Sequence, residues 1–186
     1  MKGGKKSTSS TSGAAAGPKP VVVVLAGLPG SGKSTFATEL ERTSGEMWVR
    51  VSQDDLGSAD EVKKQMEKAI KRKKSVIVDR CNFSAGDRKM WVTEAKRYGA
   101  THIEAIYFDV PKEECIRRAS LRRGHPTLSA AKAEEVISEF SGAFALPTKY
   151  EGFAQVTALT ADATQVRNEL KRLRDLAPAA KPAKKK

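Results

Sequence analysis

Gly27-Leu28-Pro29-Gly30-Ser31-Gly32-Lys33-Ser34-Thr35 follows an apolar run, residues 21–26 (VVVVLA), and leads into the helix-like stretch 35–40 (TFATEL). Strand, glycine-rich loop and helix in that order give the context in which a phosphate-binding loop works. The glycines permit backbone angles that other residues avoid, so successive N–H groups can turn into one concavity and hold an anion. The helix behind them adds the positive end of its dipole. Within this pattern Lys33 reaches the β- and γ-phosphates of a nucleoside triphosphate and Ser34 ligates Mg²⁺. The competing reading, a structural glycine turn, leaves the lysine and the serine without a purpose.

Working outward, apolar segments alternate with amphipathic ones. Strands are predicted over residues 20–26, 47–52, 75–79, 102–108 and 155–159. Helices are predicted over 33–42, 59–72, 85–98, 112–121, 130–144 and 162–176. Val62, Met66, Ala69 and Ile70 recur at helical spacing, as do Val166, Leu170 and Leu173. Ser84 with Asp87 three residues later reads as a helix-start capping box. Such alternation predicts an α/β fold, a parallel sheet of about five strands joined by right-handed crossovers with helices on both faces. Ligands of such sheets lie at the carboxyl ends of the strands. That rule selects the residues after each strand as candidates.

After the second strand comes Ser52-Gln53-Asp54-Asp55. A carboxylate there can accept a proton or orient a metal-bound water. Asp54 is the candidate base and Asp55 a supporting group; the alternative is that both acids cap the next helix. The third strand ends in Asp79, followed by Arg80-Cys81-Asn82. An acid after an apolar strand orients Mg²⁺ through water in many nucleotide sites; the alternative is a cap or a pair with Arg80. Asn82 is a candidate for an acceptor phosphate or for fixing Asp54. Arg117, Arg118, Arg122 and Arg123 precede Gly124-His125-Pro126-Thr127. Arginines offer bidentate donors to phosphate oxygens, and the Gly and Pro fit a lid that closes over the triphosphate. A solvated basic helix face is the alternative. His125 reads as a polar loop residue. Lys149-Tyr150-Glu151-Gly152 reads as a turn before the last strand, with Phe153 and Val156 packing inward. Trp91 and Tyr98 read as core and helix-face residues.

The bulk numbers bound the remainder. A chain of 186 residues with 39% hydrophobic and 30% charged residues suits one globular domain. Residues 1–18 and 177–186 have tail compositions and are expected to be disordered, flanking a domain over 19–176. Eight lysines lie within residues 1–20 and 181–186; setting them aside takes the formal charge from +12 to +4 for residues 21–180. The basic ends either attract nucleic acid through counterion release or serve only as solubilising tails. The longest apolar run is far too short to span a bilayer, and the N-terminal stretch lacks the apolar core of a signal peptide. Cys81 and Cys115, without metal-type spacing, fit a reducing compartment better than a disulfide. The expected location is the nucleus and/or the cytoplasm.

Taken together, residues 27–35 (GLPGSGKST), 52–58 (SQDDLGS), 75–83 (SVIVDRCNF), the arginine segment 117–124 and 150–153 (YEGF) resemble the polynucleotide 5′-hydroxyl-kinase family, most of all the kinase domain of the metazoan polynucleotide kinase-phosphatases. The resemblance covers roughly residues 20–160. The phosphate loop is shared by many families, whereas its spacing to the Asp-Asp pair, to Asp-x-x-Asn and to the last motif is selective. What the resemblance implies is a P-loop kinase fold with an arginine-bearing lid, ATP and Mg²⁺ as cofactors, and a DNA or RNA 5′-OH end as acceptor. It implies that Gly27 to Thr35 bind the triphosphate, that Ser34 and Asp79 attend the metal, and that Asp54 is the general base. Asp79, Arg80 and Asn82 would border the acceptor. Arg122 would be the lid arginine on the ATP phosphates, with Arg118 or Arg123 serving if the register slips. Gly57 stands where phage members carry an arginine for a 3′-phosphate, so a preference for that group is not implied. No Asp-x-Asp-x-Thr phosphatase motif occurs, so phosphorylation without 3′-dephosphorylation is expected. A kinase of a small-molecule acceptor and a non-catalytic, ATP-gated nucleic-acid-binding module are the alternatives.

Overall fold

The computed structural model describes residues 19–121 and 128–177. The expected tails, 1–18 and nearly all of 177–186, lie outside the described residues. So do Arg122, Arg123 and His125 of the segment read as a lid. Five parallel strands form one sheet in the order β2-β3-β1-β4-β5. They are β1 (Val21–Ala26), β2 (Trp48–Ser52), β3 (Ser75–Asp79), β4 (His102–Phe108) and β5 (Gln155–Leu159). β1 is central and buried along its whole length, which is why its sequence is continuously apolar rather than alternating. The helices are α1 (Lys33–Thr43), α2 (Gln53–Leu56), α3 (Ala59–Lys71), α4 (Ala85–Arg97), α5 (Lys112–Leu121), α6 (Ala133–Ala143) and α7 (Ala163–Leu176).

Alternate residues of the sheet feed two cores. Val22 and Val24 pack with Val62 and Met66 of α3 and Trp91 and Val92 of α4. Val21, Val23 and Leu25 pack with Phe36 and Leu40 of α1 and Leu170 and Leu173 of α7. A third cluster joins α5 to α6 through Cys115, Ala119, Ala133 and Ile137. Helix starts follow their caps: Ser58, Ser84 and Asp162 accept the backbone N–H of Glu61, Asp87 and Gln165. The Ser84 hydroxyl also donates to the Asp87 carboxylate at 2.7 Å, which realises the expected capping interaction. Phe153 is buried, and Val156 packs against the same core. Both cysteines are free.

Three expectations need correction. The stretch 130–144 is not one helix: a 3-10 turn, Ala130–Lys132, precedes α6, because Lys132 lies at φ −101° and ψ 0° and interrupts the helical run. The segment after β2 holds the short helix α2, too brief to show a period. It ends at Gly57, whose φ of 80° lets its N–H return to Gln53 O. Asp54 and Asp55 do not cap the next helix; Ser58 does. Among the described residues no helix is long and apolar enough to cross a membrane.

The chain leaves β1 and β3 into helices on opposite faces of the sheet, since α1 belongs to one core and α4 to the other. The gap at the carboxyl ends of these adjacent strands is where a parallel sheet opens a crevice. The phosphate loop and the Asp79–Asn82 segment both empty into it.

Candidate functional site

The loop between β1 and α1 is built on positive φ angles at Gly27, Gly30 and Gly32. Two of the three are also required by close approach. A Cβ on Gly30 would stand 2.3 Å from the Cys115 carbonyl oxygen of α5, and one on Gly27 would stand 3.1 Å from Phe108. Gly32 caps α1 with no side-chain hydrogen bond, so the first N–H groups of the helix remain for an anion. Gly30→Ala therefore forces the loop off α5 and strains its backbone. Nucleotide affinity is expected to fall about tenfold or more, as titration calorimetry would read, while Ala at Gly142 of α6, whose Cβ meets nothing within 4 Å and whose φ is not positive, leaves it unchanged.

Lys33 is buried, and its Nζ donates to Gly27 O at 2.9 Å, Leu28 O at 2.7 Å and Ser31 Oγ at 3.3 Å. The ammonium is thereby parked inside the loop, one side-chain rotation from an anion placed there. Gly27 N–H donates to Cys81 O at 3.0 Å, which fixes the loop to the end of β3.

Asp79 uses its two oxygens differently. Oδ1 accepts from Ser34 Oγ at 3.2 Å. Oδ2 accepts from Arg50 Nε at 2.8 Å and Nη2 at 2.7 Å. Its side chain is 3% exposed, so the pairing with Arg50 offsets the desolvation of the carboxylate. Arg50 projects from β2 and also meets Asp55 Oδ2 at 2.5 Å. The sequence suggested Arg80 as the structural partner of Asp79. The partner is Arg50, brought alongside by the parallel register that sets Ser52 against Asp79. Arg80 instead lies over the Trp91 ring at 5.8 Å.

Asn82 sits at φ 44° and is buried. Its Nδ2 donates to Leu25 O at 2.6 Å, and its Oδ1 accepts from Trp91 Nε1 at 2.9 Å. The amide thus ties β1 to α4 and holds the loop that carries Arg80. Trp91 is fully buried, as a core residue should be.

One cavity of about 310 Å³ unites much of this. Pro29, Gly30, Gly32, Lys33 and Ser34 line it from the loop; Asp54 and Gln53 from α2; and Asp79, Arg80, Cys81 and Asn82 from the end of β3. Gln53 Oε1 is buried with no hydrogen-bond partner among the described residues. Thr35 is exposed on α1, and Asp55 and Arg118 stand outside the lining. Arg117 and Arg118 both pair with Glu114, whose carboxyl they hold down to about 2, Arg117 first. Burial pushes the Cys115 thiol up, which fits a packed residue.

The residue pair that sequence reasoning missed is Arg88 and Glu151. Arg88 of α4 is fully buried and meets Glu151 through Nε–Oε2 at 2.7 Å and Nη2–Oε1 at 2.9 Å. It also donates to Asn82 O at 2.8 Å and Leu146 O at 3.3 Å. The pair joins the loop after β3 to the turn before β5. Its only local signal was an acid in the 150–153 motif.

A family model described as "AAA domain" matches residues 22–59 and 58–147 of the chain. A protein of Arabidopsis thaliana named transcription factor bHLH140 is 33% identical over 168 residues, 86% of this chain and 18% of that protein. The bifunctional polynucleotide phosphatase/kinase of Schizosaccharomyces pombe is 34% identical over 135 residues, 73% of this chain and 32% of its own length. The chain thus spans less than a third of either relative. Among solved structures, a fungal RNA kinase superposes with a TM-score of 0.63 at 18% identity, over 90% of this chain and 92% of that one, a likeness of fold.

Proposed function

The chain belongs to the P-loop family described as an AAA domain, and from that membership we propose that it is an ATP-dependent polynucleotide kinase, transferring the γ-phosphoryl group to a 5′-hydroxyl end of DNA or RNA. The observation that carries this reading is the shared cavity. Lys33 and Ser34, which suit a triphosphate, and Asp54, which suits an alcohol, line one space. A relative of the same kind, the fission-yeast phosphatase/kinase, supports the choice of acceptor.

Each side chain then has a task. The loop N–H groups and Lys33 hold the β- and γ-phosphates. Ser34 and Asp79 fit Mg²⁺ as a pair: Asp79 Oδ1 already faces the Ser34 hydroxyl, while Oδ2 is engaged by Arg50. They would hold the ion together with phosphate oxygens and water, as Mg²⁺ sites usually do. Bound there, the ion supplies neutralisation of the phosphate charge. Asp54 takes the proton of the 5′-hydroxyl as the O5′–Pγ bond forms and the bond from Pγ to the bridging oxygen breaks, so ADP leaves. Arg80 borders the acceptor. Arg122, assigned by the resemblance alone and outside the described residues, is proposed as the cation that closes over the transferred group. The basic ends would add sequence-independent attraction to the phosphate backbone.

The test is transfer of γ-labelled phosphate to matched 5′-OH oligonucleotides, DNA and RNA, single-stranded and nicked, beside a panel of small-molecule alcohols. Transfer to an oligonucleotide end, with a 3′-phosphate left in place, is the expected result. Transfer confined to small alcohols makes the chain a metabolite kinase. Oligonucleotide binding without transfer makes it a binding module.

A further inference from the structure

The chemistry just described uses only part of the cavity wall. Phe83 and Phe140 stack with ring centroids 5.0 Å apart and planes 20° from parallel, and both line the same cavity as Lys33 and Asp54. Each is half-buried, so part of each ring is covered by protein and part is open. Both rings have rigid supports. Phe140 and Val136 are four residues apart on α6 and share a helix face, while Ala133 and Ile137 of that helix are buried against α5. Phe83 lies four residues beyond Asp79, and its carbonyl accepts the N–H of Ala145, just past α6, at 2.9 Å. The two elements that carry the rings are therefore pinned to each other.

Among the described residues, Ala119, Leu128 and Val136 add apolar surface to the same cavity, and Asp87, near Phe83 in the chain, adds a carboxylate that already accepts from the Ser84 hydroxyl at 2.7 Å. A hydroxyl-rich metabolite would lose its hydration against the apolar part of this wall without recovering hydrogen bonds there. A flat heterocycle gains there, because every nucleobase has a π-face and stacks on an aromatic ring with little regard to sequence. The base of a 5′-terminal nucleotide is one sugar away from the hydroxyl that reacts. It must then lie in the same cavity as the base that removes the proton, and the phenylalanine pair does. We propose that Phe83 and Phe140 form the stacking platform for the base of the acceptor's 5′-terminal nucleotide, and that this platform selects a nucleic-acid end over a small alcohol without selecting a sequence. This rests on the polynucleotide-kinase reading above.

The test is a cycle between substrate and protein. Steady-state kinetics compare a 5′-OH oligonucleotide with the same strand ending in a base-free tetrahydrofuran residue, on the unaltered chain, Phe140→Leu, Phe83→Leu and Phe140→Trp. Thermal melting identifies any variant that fails to fold. On the unaltered chain the base-free end should raise KM by roughly 5- to 100-fold, the value of one base–aromatic stack, with kcat much less affected. In either leucine variant the normal end should behave like the base-free one, and the difference should collapse. Phe140→Trp should restore it, and KM for ATP should not move. A base-dependent difference that survives in both leucine variants overturns the platform, as does a leucine variant whose loss falls on ATP instead. No transfer to any oligonucleotide by the unaltered chain overturns the polynucleotide reading itself, and the platform with it.

Discussion

Asp54→Asn lowers turnover on a 5′-OH end by about 10²- to 10⁴-fold, the usual contribution of a general base, and leaves ATP affinity within about twofold. The argument is chemical and positional. Asparagine keeps the shape of the side chain but cannot take the hydroxyl proton. Lys33 is held by Gly27, Leu28 and Ser31 rather than by Asp54. Asp55→Asn is the internal control. It removes one arm of the Arg50 bridge, and Asp55 is more than half exposed, so the loss should be only a few-fold, as for other exposed pairs. Single-turnover rates with ATP titrated separately distinguish these results. Undiminished turnover in Asp54→Asn would remove the residue from the reaction.

The contrast between Asp54 and its supports shows where the sequence was legible. The phosphate loop is contiguous, so its chemistry can be read from nine residues, and the buried parallel strands announce themselves by unbroken apolar runs. α2 could not be seen: four residues have no period, and only the φ of Gly57 marks the end of the turn. The partner of Asp79 depended on strand order. β2 lies next to β3, and that neighbourhood brings Arg50 to the acid. A lone arginine inside an otherwise apolar strand was the available signal. Asn82 was read for its chemistry. Its burial and left-handed backbone give its amide to Leu25 and Trp91 instead, a use that no local pattern encodes. Phe83 and Phe140 come from distant parts of the chain and meet only because α6 folds back over the end of β3.

The longest-range of these dependencies carries the largest expected effect on stability. Arg88→Met should cost about 3–5 kcal/mol, a large share of the 5–15 kcal/mol typical of a whole domain. Glu151 has a side chain 4% exposed and would be left as a buried charge held on Oε1 by Thr148 alone among the described residues, through its N–H at 2.9 Å and its hydroxyl at 3.5 Å. The carbonyls of Asn82 and Leu146 would lose their donor as well. Glu151→Leu should also destabilise, because it leaves the Arg88 guanidinium buried without its carboxylate. The double variant Arg88→Met/Glu151→Leu should recover much of the single loss, since a well-packed apolar pair can replace buried ions. Urea unfolding of the four proteins gives the coupling directly. If the two single losses simply add in the double variant, the pair does not act as a unit. Strong coupling means that the loop carrying Arg80, Asn82 and Phe83 owes its position to an ion pair formed 63 residues apart in the chain. Arg88→Lys then tests geometry apart from charge. It keeps the cation but loses the two-pronged contact, so stability should fall only partway while the acceptor KM rises with the loosened loop.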